Sequence, residues 1–173
     1  LVSVTLPKSL KKLGGSVFAN CPDLKSATVD GDGTLQIGTA LFMRSGALET
    51  VVLGEGVASI SDGREDWILH GMFRECSSLQ TVEVRTSRLN RLPSYMFRLS
   101  GVKRVIFSGG VSEIGSSAFS SCSRLERIEG ELAPERIEGN AFDGCTSLVG
   151  EIDLSRCVEM GGYAFNNCRS LVG

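Results

Sequence analysis

The sequence lacks any strong excess of one charge and lacks long apolar runs. Its 18 basic and 20 acidic residues give a net charge of -2 and are scattered along the chain, so there is neither the basic field that nucleic acid requires nor an acidic tail. No apolar stretch approaches the roughly 20 residues that span a bilayer, and the N-terminal LVSVTLPKSLKK lacks the apolar core of a signal peptide. We therefore expect no nucleic-acid partner and no membrane insertion in this segment.

Histidine is nearly absent, and His70 is the single one, so a catalytic triad or a His-pair metal site would have to be built around it. The sequence has no G-x-S-x-G elbow, no Walker-type glycine pattern and no Cys-x-x-Cys pair for zinc. The segment Asp30–Gly33 (DGDG) begins like a calcium loop, but Leu35 and Leu41 stand where an EF-hand requires Gly and Glu. We therefore expect no enzymatic activity, no metal and no cofactor.

Glycine is abundant at 21 residues and proline is scarce at 4, a balance that suits many short turns between short elements. Seven of the eight phenylalanines recur at steps of 24, 31, 24, 22, 23 and 23 residues, and an apolar column recurs at steps of 23, 24, 31, 23, 23, 23 and 23. Both predict about seven units of about 23 residues, with an insertion in the third. The ladder phenylalanines are Phe18, Phe42, Phe73, Phe97, Phe119, Phe142 and Phe165, and the column is Leu1, Leu24, Leu48, Leu79, Val102, Leu125, Leu148 and Leu171.

Each unit begins with an alternating apolar segment, such as Leu48–Leu53, which predicts a strand. A segment ending Ala-Phe-x-x-Cys-x-x-Leu follows, clearest at Ala118–Leu125 and Ala141–Leu148, and its spacing of three favours a short 3₁₀ or α turn back to the next strand. Stacked units would share a parallel sheet on one side and place the phenylalanine turns on the other. Between these parts a turn is expected at an apolar residue five positions before each phenylalanine: Leu13, Ile37, Ile68, Leu92, Ile114, Ile137 and Met160.

Units such as Val111–Leu125 resemble the BspA-type leucine-rich repeat, whose pattern is I-G-x-x-A-F-x-x-C-x-x-L, and the resemblance covers nearly the whole chain. It implies an α/β repeat solenoid, a curved right-handed array with a parallel β-sheet on the concave face and short helical or 3₁₀ turns on the convex face. Members of this family occur on bacterial and protist surfaces, where several act as adhesins. The resemblance therefore implies a cell-surface or secreted protein whose partner is a host or matrix protein.

The two ends of the chain, Leu1–Ser3 and Leu171–Gly173, lie inside the strand part of a unit. We therefore expect residues 1–173 to form a single solenoid that is a fragment of a longer protein. Ser45 and Ser100 stand in two of the cysteine places, and the insertion makes the middle of the chain its least regular part.

Five of the six cysteines lie three residues after a ladder phenylalanine, which predicts that they point into one interior column. We interpret them as small buried hydrophobic residues, because disulfides between parallel inward side chains rarely reach the required dihedral angle. The sixth, Cys157, is out of register and is expected to be an isolated thiol. The column consists of Cys21, Cys76, Cys122, Cys145 and Cys168.

The exposed strand face is the first candidate binding surface. Hydroxyl residues line its first units, and arginine and acidic residues with Ile106 line the later ones, a mixed-charge patch that suits a protein partner. The alternative is that these are merely soluble strand positions, where threonine is favoured anyway. The expected face consists of Ser3, Thr5, Ser26, Thr28, Thr50, Val52, Thr81, Glu83, Arg104, Ile106, Arg127, Glu129, Glu151 and Asp153.

The insertion at 61–69 is the second candidate, because it holds the only tryptophan, Trp67, together with an arginine, a composition enriched in interface hot spots. The alternative is that Trp67 folds back to cover the irregular unit. We predict a protein-recognition or adhesion module that binds through the concave face; the alternative is a structural scaffold that contacts neighbours through its ends or the Trp67 loop. The predicted partner-binding residues are Thr81, Glu83, Arg104, Ile106, Arg127, Glu129, Glu151, Asp153 and Trp67.

Overall fold

The computed structural model describes residues 1–62, 70–130 and 132–171. In these ranges the regular structure consists of short strands joined by turns, without a helix, and so none of the described segments is a helix that could cross a membrane. The strands are β1 (Ser3–Thr5), β2 (Lys12–Leu13), β3 (Ser26–Val29), β4 (Leu35–Ile37), β5 (Thr50–Leu53), β6 (Val57–Ile60), β7 (Thr81–Val84), β8 (Arg91–Leu92), β9 (Arg104–Phe107), β10 (Glu113–Ile114), β11 (Arg127–Gly130), β12 (Arg136–Ile137) and β13 (Glu159–Met160).

The strands form parallel sheets because successive coils of the chain add their strands side by side. One strand from each of the first six coils joins a six-stranded sheet in the order β1-β3-β5-β7-β9-β11. The other strands form a three-stranded sheet, β2-β4-β6, and a four-stranded sheet, β13-β12-β10-β8. Neighbours in each sheet belong to consecutive coils, so the chain is a parallel-strand solenoid, as the repeat predicted. The handedness and the direction of curvature stay predictions.

The two smaller sheets lie where the sequence indicated only a turn. Leu92 in β8 and Ile114 in β10 pair in register, although both were expected in turns. The glycine after Ile114 is explained by the close approach of two coils and not by a turn. A Cβ on Gly115 would lie 2.6 Å from the carbonyl oxygen of Leu92, and the Gly115 amide donates to that oxygen at 2.9 Å. The turn expectation is therefore wrong at Leu13, Ile37, Leu92, Ile114, Ile137 and Met160, while Ile68 lies outside the described residues.

The turns that carry the ladder phenylalanines are not helical, so the expectation of short α or 3₁₀ turns is wrong. The residues two before and two after each phenylalanine have positive φ, as do Ser117 (54°) and Ser121 (61°) around Phe119, and such left-handed residues interrupt a right-handed helix. The Phe119 amide donates to the carbonyl oxygen of Ala141 on the next coil at 2.7 Å, where a helix would bond within the coil. The positive-φ positions are Ser16, Asn20, Ala40, Arg44, Gly71, Glu75, Tyr95, Leu99, Ser117, Ser121, Asn140, Gly144, Tyr163 and Asn167.

The seven ladder phenylalanines form one continuous stack through the interior. Consecutive ring centroids lie 4.9 to 5.7 Å apart, with interplanar angles of 3° to 19°. The five inner rings are fully buried, whereas the end rings, Phe18 and Phe165, are partly buried. The prediction that consecutive units share one interior is therefore confirmed.

The cysteines after the ladder phenylalanines point into the interior, as their spacing predicted, and all six cysteines are free thiols. Their hydrogen bonds were not predicted. The Cys122 thiol donates to the carbonyl oxygen of Phe97 on the preceding coil, with Sγ 2.9 Å from it. The same bond joins Cys76, Cys145 and Cys168 to Phe42, Phe119 and Phe142. Ser45, which stands in a cysteine place, donates the equivalent hydrogen bond from its hydroxyl to the Phe18 carbonyl oxygen at 2.7 Å.

The six-stranded sheet ends at β11, so the strand expected at Glu151 and Asp153 is absent from this described segment. The amide of Val149 still donates to the carbonyl oxygen of Glu126 at 3.0 Å. The next residue, Gly150, has φ of 96°, a left-handed conformation that turns the backbone out of the strand direction. Glu151 and Asp153 are exposed, but they are not positions of a sheet face.

Candidate protein-binding face

The outward side chains of the six-stranded sheet form two straight rows, which together we call the outer face. Strand register aligns Ser3 with Ser26, and Thr81 with Arg104, so that each row crosses the whole sheet. Alternation along each strand turns the intervening residues inward. The first row is Ser3, Ser26, Thr50, Thr81, Arg104 and Arg127, and the second is Thr5, Thr28, Val52, Glu83, Ile106 and Glu129.

All twelve side chains of the outer face are exposed or half-buried. The repeat alignment thus placed twelve of its fourteen positions correctly on one surface. The composition also changes along the rows as the sequence showed, from hydroxyl residues on β1 and β3 to charged residues on β9 and β11. Because neighbouring strands of a sheet lie about 4.8 Å apart, successive side chains of a row are in reach of one another.

The charged end of the outer face contains an ion pair between the two rows. The Arg104 guanidinium donates from Nε and Nη2 to the two carboxylate oxygens of Glu129, at 3.0 and 3.1 Å. These hydrogen bonds raise the pKa of Arg104 and lower the pKa of Glu129. A bidentate pair fixes the orientation of both side chains, so this part of the face is ordered before any partner arrives.

Other residues of the outer face are available for new contacts. Among the described residues Arg127 forms no ion pair, and Ile106 places an apolar side chain between Glu83 and Glu129 in the second row. Glu83 accepts hydrogen bonds from the Nε and Nη2 of Arg85 at 3.0 and 2.7 Å. The patch therefore combines one apolar group, one unpaired cation and two anions that are held by arginine.

Two of the predicted partner-binding residues, Glu151 and Asp153, do not join this patch. Glu151 and Asp153 follow the last strand of the sheet. The Asp153 carboxylate accepts a hydrogen bond from the Ser155 amide at 2.9 Å, and the Ser155 side chain together with this amide lowers the pKa of Asp153. Trp67 lies outside the described residues, so its place relative to the outer face stays a prediction. The patch brings together Thr81, Glu83, Arg104, Ile106, Arg127 and Glu129.

A polar surface cavity of about 590 Å³ adjoins the hydroxyl end of the outer face. Thr28 and Val52 of the outer face line it, so the cavity and the sheet surface are continuous. The cavity was not predicted from the sequence. Charged groups of both signs line the rest of it, on the loops that follow β1, β3, β5 and β7: Lys8, Asp30, Asp32, Glu55, Arg85 and Arg88.

Asp30 braces the loops that form this cavity. Its Oδ1 accepts hydrogen bonds from the amides of Gly31 and Gly56, both at 2.9 Å, and its other oxygen lies 3.5 Å from Lys8 Nζ. Burial raises the pKa of Asp30, but the two amides and the Lys8 charge outweigh it and lower the pKa overall. The two loops touch at their glycines, since a Cβ on Gly56 would clash with the Gly31 carbonyl oxygen.

The DGDG segment therefore connects the loops of two neighbouring coils. Across the described ranges no group of three or more histidine, cysteine or acidic side chains could hold a metal ion. Asp32, the second acidic residue of the segment, pairs with Lys11 and accepts a hydrogen bond from the Thr34 amide at 3.1 Å. The signal that could have revealed this role is the second glycine pair one coil later, at Gly54 and Gly56.

A known protein family and a solved structure each match nearly the whole length of the chain. A family described as "BspA type Leucine rich repeat region" matches residues 1–64 and 66–172, in six copies. A leucine-rich repeat protein from Eubacterium ventriosum ATCC 27560 is similar in structure over 96% of this chain and 42% of its own, with a TM-score of 0.77 and 21% sequence identity. A leucine-rich repeat protein from Bacteroides ovatus ATCC 8483 matches over 96% of this chain and 58% of its own, with a TM-score of 0.48 and 17% identity.

The chain thus spans less than two thirds of the length of either solved structure. No curated protein matches the chain by sequence. At 21% identity the similarity to the Eubacterium protein shows a shared fold, and a function for this chain has to be argued from its own surfaces.

Proposed function

The chain belongs to the BspA-type leucine-rich repeat family, and we propose that it is a protein-recognition module that binds a protein partner through the outer face. Membership of this family suggests a protein-interaction or scaffold role, and such solenoids are generally not enzymes. The observation that carries the proposal is the alignment of twelve outward side chains in two rows, which end in an ordered mixed-charge patch.

The geometry favours recognition because little has to be ordered on binding. The Arg104 and Glu129 side chains already hold each other, and the strands beneath them are fixed by the stacked core, so less conformational entropy is lost when a partner docks. Ile106 provides an apolar contact beside these charges, which resembles the arrangement of a protein interface. A partner with an acidic group opposite Arg127 would fit this patch.

We extend the proposal to adhesion on the ground of the family resemblance. In this reading the chain is part of a cell-surface or secreted protein, and its partner is a host or matrix protein. The polar cavity beside Thr28 and Val52 would widen the contact at the other end of the outer face. The predicted Trp67 contact remains part of the proposal, and its residue lies outside the described ranges.

The test is binding of the chain to immobilised purified extracellular matrix proteins, measured by surface plasmon resonance. For a matrix protein that binds, we expect Arg127→Ala to weaken affinity about tenfold, because truncation of an interface hot spot costs on the order of 1 to 2 kcal/mol or more. Arg124→Ala is the matched control, since Arg124 is also exposed but lies in a turn before β11. Equal affinities of the two variants would move the site away from the outer face.

The second candidate function is a structural scaffold that contacts its neighbours through the end coils. It is favoured by apolar side chains exposed on the last coil, where Val158 is 83% and Met160 is 48% exposed. Exposed apolar side chains such as these are suited to contact another surface.

A further inference from the structure

Arginine is concentrated on the phenylalanine turns of the second, third and fourth coils. The amide of Arg44 donates to the carbonyl oxygen of Arg74 at 2.9 Å, and the amide of Glu75 donates to the carbonyl oxygen of Arg98 at 3.1 Å, so these residues lie side by side on consecutive turns. The surface belongs to the turns and not to the six-stranded sheet, and it is therefore separate from the outer face. We call it the turn patch; it consists of Arg44, Arg74, Glu75, Tyr95, Arg98 and Leu99.

The acidic residue of the turn patch does not cancel its positive charge. Glu75 accepts one hydrogen bond from the Nε of Arg44 and one from the Nε of Arg74, each at 3.0 Å and each on a different carboxylate oxygen. Burial raises the pKa of Glu75, but the hydrogen bonds and charges of the two arginines outweigh it and lower the pKa overall. With three arginines and one glutamate, the turn patch keeps a net positive charge at neutral pH.

Arg98 is held in place by an uncharged neighbour. Its guanidinium carbon lies 5.7 Å from the centroid of the Tyr95 ring, in a cation–π contact, and Tyr95 packs edge-on against His70 with ring centroids 5.4 Å apart. Within the described ranges no hydrogen bond or ion pair occupies the Arg98 guanidinium. Its N–H groups are therefore positioned and free to donate to a carboxylate.

Leu99 places an apolar side chain next to these charges. It is 45% exposed, and its backbone is left-handed with φ of 59°, a conformation that strains a leucine. Strained residues of this kind are typical of positions that contact a ligand. The equivalent residues of the other six coils are polar or glycine: Asn20, Arg44, Glu75, Ser121, Gly144 and Asn167.

The later turns have a different character. At the positions equivalent to Arg74 and Arg98, the last three coils carry Ser120, Asp143 and Asn166, and the Asn166 side-chain amide donates to Asp143 at 2.8 Å. The arginines, the tyrosine ring and the exposed leucine are thus confined to three adjacent turns. Arginine and tyrosine are the residue types enriched in binding hot spots.

We propose that the turn patch binds an acidic peptide segment of a partner protein, with carboxylates at the arginines and an apolar side chain on Leu99. Arg44 and Arg98 lie two coils apart, which is about 10 Å at the usual spacing of neighbouring strands. Two acidic residues three positions apart in an extended segment span about 10 Å as well, so the segment would run along the solenoid axis. An apolar residue directly after the second acidic residue would then contact Leu99.

The test is an NMR titration of the isotope-labelled chain with the peptide GEGSELLG, in which two glutamates stand three positions apart and leucines follow. We expect the signals of the Leu99 methyl groups and the Arg98 Nε to shift with a dissociation constant of about 1 mM or below, as suits a short flexible ligand. Added salt should weaken the binding. The peptides GQGSQLLG and GEGSEGGG lack the charges and the apolar residues, respectively, and each should bind about fivefold or more weakly.

Two variants of the chain test the contacts themselves. Arg98→Gln and Leu99→Asn should each weaken binding of GEGSELLG about fivefold or more. Asparagine occupies the place of Leu99 in the first and last coils, so Leu99→Asn keeps the turn, and circular dichroism would verify this. Arg124→Gln is the matched control, because Arg124 is exposed but lies in the turn before β11; this variant should bind like the wild type.

Three outcomes would overturn the proposal. The first is a lack of shifts at Arg98 and Leu99 with the peptide at about 10 mM, well above the expected dissociation constant. The second is equal binding of GEGSEGGG, and the third is unchanged affinity in Leu99→Asn, since in either case the arginines would attract any polyanion. All three leave the outer face untouched, because binding to a matrix protein is tested there through Arg127 on a different element.

Discussion

At the scale of single residues, the interior thiols are hydrogen-bond donors and not nucleophiles. Burial raises the pKa of Cys76 from 9.0 to about 12 and that of Cys122 likewise to about 12, because a thiolate would lose its hydration there. Burial also raises the pKa of Cys145. Since the thiolate is the reactive form, these cysteines keep their protons and remain bonded to the phenylalanine carbonyl oxygens.

This protonation predicts a loss of stability in alkali. Between pH 9.0 and about 12 the unfolded chain releases the Cys76 proton while the folded chain retains it, so the free energy of unfolding falls as the pH rises. One such thiol contributes about 1.4 kcal/mol per pH unit. Cys76→Ser removes this contribution and keeps a donor for Phe42, as Ser45 does for Phe18.

The measurement is urea unfolding at several alkaline pH values. The fall in the free energy of unfolding with pH should be shallower in Cys76→Ser than in the wild type, by up to about 1.4 kcal/mol per pH unit. Cys157→Ser, outside the column, serves as the control for removal of a less buried thiol. Identical slopes for wild type and Cys76→Ser would show that the buried thiol ionises as readily in the folded state as in the unfolded state.

At the scale of elements, each phenylalanine turn depends on left-handed residues, and most of them are not glycine. Leu99 has φ of 59°, so its side chain adds strain of about 1 to 2 kcal/mol, and at 45% exposure it buries only about half of its surface. The equivalent residue is Asn20 in the first coil, Gly144 in the sixth and Asn167 in the last, which are the residue types that tolerate this conformation.

We therefore expect Leu99→Gly to raise the free energy of unfolding by up to about 1 kcal/mol, since relief of strain exceeds the entropy that glycine adds to the unfolded chain. Leu99→Ala keeps a Cβ and should give no such gain. Thermal and urea unfolding of both variants would measure the difference. A glycine variant less stable than the alanine variant would mean that the strain at this turn is negligible.

Some elements were predictable and others were not, for physical reasons. The strands of the six-stranded sheet alternate over three or four residues, so Thr81 and Glu83 could be placed outward from the repeat alone. The two-residue strands, such as β10, are too short to alternate, and the glycine that lets coils approach mimics a turn signal. The apolar spacing of three around Phe119 fits a helix as well as a turn, and only the hydrogen bonds to neighbouring coils decide between them.

The candidate site could be predicted from the sequence only in part. Its twelve sheet positions follow from register, but the ion pair between Arg104 and Glu129 depends on side-chain geometry across strands. Glu151 and Asp153 were misplaced because the repeat period continues past Gly150, while the backbone leaves the strand direction there. The cavity beside Thr28 depends on a contact between the loops at Gly31 and Gly56, which no single unit shows.

At the scale of the whole molecule, the solenoid transmits stability only between neighbouring coils. Each inner phenylalanine ring stacks on the ring before and the ring after it, and hydrogen bonds join the turn of one coil to the turn of the next. In such a quasi-one-dimensional array, stability is a sum of coil and interface contributions. The position of a substitution in the stack therefore matters as much as its chemistry.

The effect of position in the stack can be tested by comparing Phe119, inside the stack, with Phe165, at its end. Phe119 is fully buried between Phe97 and Phe142, with centroid distances of 4.9 and 5.0 Å, whereas Phe165 is partly buried and stacks on Phe142 alone. We expect Phe119→Ala to lower the free energy of unfolding by about 3 to 5 kcal/mol, because two interfaces lose their ring contact, and Phe165→Ala to cost about half as much. Urea unfolding measures both costs, and hydrogen exchange should show Phe165→Ala loosening the last coil only. If the two substitutions lowered the free energy of unfolding equally, the chain would unfold as one cooperative globular domain. A stack held only by contacts between neighbours must lose less stability from a substitution at its end.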